Sequence, residues 1–129
     1  MENQRIYQFN WDNTVGADMT HARPHLGPNT RVEIYRLLQF TLRDVLEQHY
    51  GTEMADNLFR EAGAIAGKAF YDKFLSDAYD ISTLAVKIQE SFASLGIGIF
   101  RVEDAADNNS RFIFTVEEDI DCSGLPDTS

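Results

Sequence analysis

The residues able to bind a metal or move protons fall in two places. His21 and His25 are four apart, the spacing at which two imidazoles on one helix face can share a metal ion. Pro24 lies between them and argues against a helix there. Near the other end, Cys122 follows Glu118, Asp119 and Asp121, a thiol with carboxylate neighbours. Neither C-x-x-C nor H-E-x-x-H occurs, so no metal site is expected. His49 is expected at a helix end, where the dipole favours a protonated imidazole. Nucleophilic catalysis has as little support. There is no G-x-S-x-G, and Cys122 has no basic neighbour to lower its pKa. Glu117, Glu118 and Asp119 offer paired carboxylates, but a chain with 21 acidic residues places such runs by chance, and a solvated strand end accounts for them. Gly96 and Gly98 precede a strand pattern rather than a helix, so they are not a dinucleotide fingerprint. No catalytic residue and no cofactor are expected.

What the sequence does offer is small and aromatic residues. Residues 60–74 read REAGAIAGKAFYDKF, with Gly63 and Gly67 inside a run of helix formers. Each glycine costs a helix roughly 1 kcal/mol against alanine. Four apart, the two share a face and with Ala66 make a flat strip that a neighbour can approach. Close packing of elements explains such a strip, and so does one wall of an apolar pocket; the two are compatible. Nine phenylalanines, five tyrosines and one tryptophan also suit either an aromatic core or a cavity. Gly63, Gly67, Phe70, Phe92, Phe100 and Phe114 are the candidate lining residues.

The elements that must position these residues are legible from periodicity. In RIYQFNW, Tyr7, Phe9 and Trp11 alternate with polar positions, which predicts a short strand or extended arm. Residues 12–29 are rich in turn formers. Thr30 and Glu33 form a capping box for a first helix with an apolar stripe at Val32, Tyr35, Leu38, Leu42, Val45 and Leu46, and Gly51 ends it in a left-handed cap. Thr52 can cap a second helix running to about Leu75. Asp80 or Ser82 caps a third, striped by Leu84, Ile88, Phe92 and Leu95 and stopped at Gly96. The period then changes to two: Phe100 and Val102, then Phe112, Phe114 and Val116, mark two strands around a loop in AADNN. The domain therefore divides into an arm and loop (1–29), a helical part (30–95), a β-hairpin (96–121) and a tail (122–129). This is an α+β chain, a three-helix layer packed on a small antiparallel sheet.

Composition sets the outer limits. The chain has 129 residues, 43% of them hydrophobic, and a formal charge of −10. That length suits one domain with one core. The acidity repels phosphate backbones and makes nucleic acid an unsuitable partner. One cysteine permits no internal disulfide. No apolar run approaches the ~18 residues of a membrane span, and the N-terminus lacks a signal pattern, so a cytoplasmic location is expected.

The pieces line up in an order with a counterpart. HARPHLG precedes a capped helix reading VEIYRLLQFTLRDVLEQHYG, a second helix carries EAGAIAGKAF, and a third leads into GIGIFRVE and a strand ending EEDIDCSGLP. Over most of residues 21–125 the chain resembles the 4-vinyl reductase domain family, often described as hydrocarbon-binding. The wider group includes haem-based nitric-oxide sensor domains and small subunits of Golgi transport particles. The resemblance implies a helical layer on an antiparallel sheet, often dimeric, that binds a small apolar or aromatic molecule as a sensor. Members continue past a D-C-S-G-L-P-like segment into a further helix, two strands and cysteines that bind zinc in some sensors; the chain is expected to lack that part. Two other functions stay open: an adaptor that works through protein contacts, and a subunit of a pigment-biosynthesis vinyl reductase.

Overall fold

The computed structural model describes residues 4–105 and 111–126. The chain divides into two units, Met1–Arg31 and Val32–Ser129. The first holds one short helix, α1 (Met19–Ala22), whose start is capped by the Asp18 carboxylate accepting from the His21 N–H at 3.1 Å. The helix stops before Pro24, so a single turn forms where the proline suggested none. Of the strand or extended arm expected at residues 5–11, no strand forms. Residues 4–10 have no regular structure, and the chain turns at Trp11, whose carbonyl accepts from Thr14 N–H at 3.1 Å and Gly16 N–H at 2.8 Å. Alternation alone does not make a strand without a neighbour to pair with, and the sheet among the described residues has two strands, both from the second unit.

The second unit is α+β. A long helical segment, α2 (Val32–Phe70), is broken at Gly51, where φ is 82° and ψ 169°. The expected break is there, but the glycine is extended rather than left-handed helical, in a region that only glycine enters freely. Arg43 donates to Asp56, and its guanidinium lies 5.7 Å from the Phe59 ring centre. Thirteen residues of straight helix would rise about 20 Å, so these contacts require the two halves to fold back at the glycine. Ala55 is fully buried beside the break. Thr52 donates its hydroxyl to Glu47 across the same corner.

After Phe70 the helix widens into a π turn at Tyr71–Leu75. Helix α3 (Ile81–Leu95) follows. Asp80 caps it by accepting from Thr83 N–H at 2.7 Å, and Gly96 ends it at φ 73°, ψ 23° with its N–H turned back to Ala93 and Phe92. Both ends fall where the sequence places them. Strands β1 (Ile99–Ala105) and β2 (Phe112–Glu117) pair antiparallel, Phe100 opposite Val116 and Val102 opposite Phe114, with a bulge between Val102 and Asp104. One hairpin face therefore carries Phe100, Val102, Phe114 and Val116. The other carries Arg101, Thr115 and Glu117, where Arg101 pairs with Glu117 at 3.2 Å. The expected loop, AADNN, lies mostly outside the described residues, as do the last three of the tail.

Residues 118–124 tie the hairpin to the start of α2. The Tyr35 hydroxyl donates to Asp121 at 2.8 Å, Arg36 Nε donates to the Ile120 carbonyl at 2.7 Å, and Ile120 N–H donates to the Ile97 carbonyl at 2.9 Å. This turns α2 so that Tyr35, Arg36, Gln39, Arg43 and Leu46 are partly covered, while Val32, Leu38, Leu42 and Val45 of the expected stripe are exposed. Burial among the described hydrophobic residues is complete or nearly so only at Ala55, Leu75 and Phe100. A folded domain of this length ordinarily hides about two-thirds of its chain surface. No described helix is long and apolar enough to cross a membrane.

Candidate functional site

Helix α3 and the hairpin face one another across a cleft of about 450 Å³. From α3, the i, i+3, i+4 and i+7 positions Ile81, Leu84, Ala85 and Ile88 form one wall. The hairpin supplies Phe100, Val102, Phe112 and Phe114, side chains that alternation puts on one face. Ser82 brings the one polar side chain of the lining. The volume lies within the ~300–1,000 Å³ of ordinary ligand pockets. The cleft is open: Phe114 is 59% exposed and Val102 42%.

Behind the cleft runs a chain of aromatic contacts. Phe74 packs on Phe70 at 4.9 Å, Phe70 meets Phe92 edge-on at 6.0 Å, Phe92 meets Phe100 at 6.0 Å, and Phe100 meets Phe114 at 5.2 Å. Each such pair is worth about 0.5–1.5 kcal/mol beyond its buried area. The run fastens the end of α2 and its π turn to α3, and α3 to the hairpin. The four phenylalanines singled out in the sequence thus come together in one row, but in two roles. Phe100 and Phe114 line the cleft, Phe70 supports them from behind, and Phe92 also lines a smaller recess with Gly96, Gly98 and Glu118.

Gly63 and Gly67 do not join them. A Cβ built on either meets nothing within 4 Å, so no described residue of this chain approaches the strip. The close approach is at Gly98 instead. A Cβ there would lie 2.6 Å from Val116 Cγ1 and 3.1 Å from the Glu117 carbonyl oxygen. Gly98 lies just before β1, against Val116 and Glu117 at the end of β2, a neighbourhood invisible until the register is known. The lining residues missed in the sequence are Ile81, Ser82, Leu84, Ala85, Ile88, Val102 and Phe112; Leu84 and Ile88 were read only as a helix stripe, which Ile81, Ser82 and Ala85 extend by one turn. The signal for that extension was the i+4 relation between Ile81 and Ala85.

The acid–base residues singled out in the sequence make local contacts of their own. Paired with His21, and accepting its backbone N–H, the Asp18 carboxyl is held below the usual carboxylate range. Cys122 is exposed, and its N–H donates to Asp119 Oδ1 at 2.7 Å. Among the described residues no three His, Cys, Asp or Glu side chains are grouped to hold a metal ion. The cleft can therefore solvate an apolar body, with the Ser82 hydroxyl as the polar side chain of its lining. Comparison with protein-family models, curated proteins and solved structures gives no significant match for this chain.

Proposed function

We propose that this chain is a non-enzymatic domain that binds a small apolar or aromatic molecule between α3 and the hairpin. The observation that carries the reading is the cleft itself: eight apolar side chains and one hydroxyl around about 450 Å³. The resemblance of residues 21–125 to the 4-vinyl reductase domain family supports it through the order of elements and the E-A-G-x-x-A-G pattern. That reading implies a full three-helix layer on an antiparallel sheet. Native mass spectrometry of the purified protein tests it; the expected result is a mass increment from a bound apolar species, or one restored by adding naphthalene. A protein that takes up neither loses the assignment.

The domain is further proposed to work as a homodimer. Ile34, Leu38, Leu42 and Val45 form an exposed stripe along the first half of α2, and both hairpin edges are open among the described residues. The four are 47–66% exposed, so burying what remains is worth about half of the ~1.5–3 kcal/mol of a full burial each, roughly 3–6 kcal/mol per copy. Association costs roughly 4–15 kcal/mol, so a symmetric contact that buries the stripe of both copies is of the size needed to offset it. The same exposed surface supports an adaptor role without ligand. A dimer with a dry, filled cleft and no uptake of naphthalene would favour that second reading.

A further inference from the structure

Beside the cleft lies a second hollow of about 230 Å³, lined by Tyr71, Ala78, Tyr79, Asp80, Ile81 and Leu84. Ile81 and Leu84 also line the cleft, so the two hollows share a wall. Their chemistry differs. The cleft brings a single hydroxyl; the hollow brings two phenol rings and a carboxylate. The Thr83 N–H bond at 2.7 Å, with the Thr83 side chain adding to it, holds the Asp80 carboxyl below its ordinary pKa, so it is ionised at neutral pH. The first turn of α3 carries about half a positive charge, and the full negative charge of its cap outweighs it. On α3 itself, Lys87 is engaged with Asp77 at 2.7 Å. The side chains lining the hollow therefore favour positive charge, and tyrosine rings attract organic cations across their faces.

We propose that cleft and hollow form one site for an amphiphilic organic cation, its apolar body against Phe100 and Phe114 and its ammonium head among Tyr71, Tyr79 and Asp80. This rests on the reading of the cleft as a ligand site and adds the charge of what it takes. A carboxylate head in the same position meets Asp80 as a like charge, and the chain's net −10 adds a long-range term of the same sign. Selection is therefore for ammonium over carboxylate at equal apolar body.

The test is displacement of the neutral fluorophore 1-aminoanthracene, at neutral pH, by three probes: naphthalene, 2-(aminomethyl)naphthalene and 2-naphthoate. The expected result is that naphthalene displaces it, and that the ammonium probe binds about tenfold tighter than the carboxylate, with a gap that narrows as salt is raised. Asp80→Asn keeps an N-cap of equal quality and removes the charge; circular dichroism checks its fold, and the gap should fall to about threefold or less. If naphthalene displaces the dye but ammonium and carboxylate bind alike, the charge proposal is wrong while the cleft stands. A gap unchanged in Asp80→Asn also overturns it. If naphthalene fails to displace the dye, the cleft reading and the proposal fall together.

Discussion

A methyl group at Gly98 would press on Val116 and on the rigid Glu117 carbonyl, whereas one at Gly63 or Gly67 would enter open space. The three sites therefore separate by sign. Gly98→Ala should destabilise by about 1–3 kcal/mol through overpacking. Gly63→Ala and Gly67→Ala should each stabilise by about 1 kcal/mol through helix propensity. Urea unfolding of the three variants beside the parent reads both signs, and a loss of stability in Gly67→Ala would mean that something covers the strip. Tyr35 gives a second test at this scale. Burial, then its hydrogen bond to Asp121 and the charges of Asp121 and Asp119, push its pKa up to about 12. A raised folded-state pKa contributes stability that is whole below the ordinary tyrosine value of about 10 and is lost as pH climbs from there towards 12. The stability difference between parent and Tyr35→Phe should accordingly shrink over that window, as urea midpoints measured from pH 9 to 12 would register. A constant difference would mean that the phenol does not hold the 118–124 segment.

At the level of elements, punctuation was legible and facing was not. Gly51, Asp80 and Gly96 mark a break, a start and a stop by local backbone chemistry, and the structure uses all three. The alternation likewise gave Phe100 and Val102 one face of β1, and Phe112, Phe114 and Val116 one face of β2; that the two sets lie on the same side follows from the register. Which face of α2 is covered depends on residues 118–124, more than eighty positions away, so the stripe of Leu38, Leu42 and Val45 could be counted but not placed. The same holds for Gly98, whose constraint comes from the opposite strand. Tyr7, Phe9 and Trp11 alternate without a partner, so their pattern has no sheet to enter. Gly51 is the element most open to test. At φ 82° and ψ 169°, a Cβ costs about 1–3 kcal/mol. Gly51→Ala should lower the unfolding free energy by that amount, read as a lower urea midpoint, with helical circular dichroism preserved in native buffer because either half can still wind. An unchanged midpoint would mean that the corner between residues 32–50 and 52–70 adapts freely.

At the scale of the whole molecule, the proposed dimer would cover the exposed stripe of α2 in an acidic chain. Leu38→Glu with Leu42→Glu places charge on the proposed contact, so light scattering across a dilution series should show a dimer for the parent and a monomer for the double variant, with helical content retained. A parent that remains a monomer at high micromolar concentration removes the dimer from the account. The cleft itself is tested most directly by filling it. Ala85 lines it from α3 with Phe100 and Phe114 on the far wall, so Ala85→Trp puts an indole where the ligand's body would lie. The measurement is a fluorescence titration of 1-aminoanthracene into the parent and this variant, both verified as folded by circular dichroism. The account predicts saturable binding at one site per chain in the parent and at least a tenfold loss in Ala85→Trp; equal binding in both, or none in the parent, would contradict it.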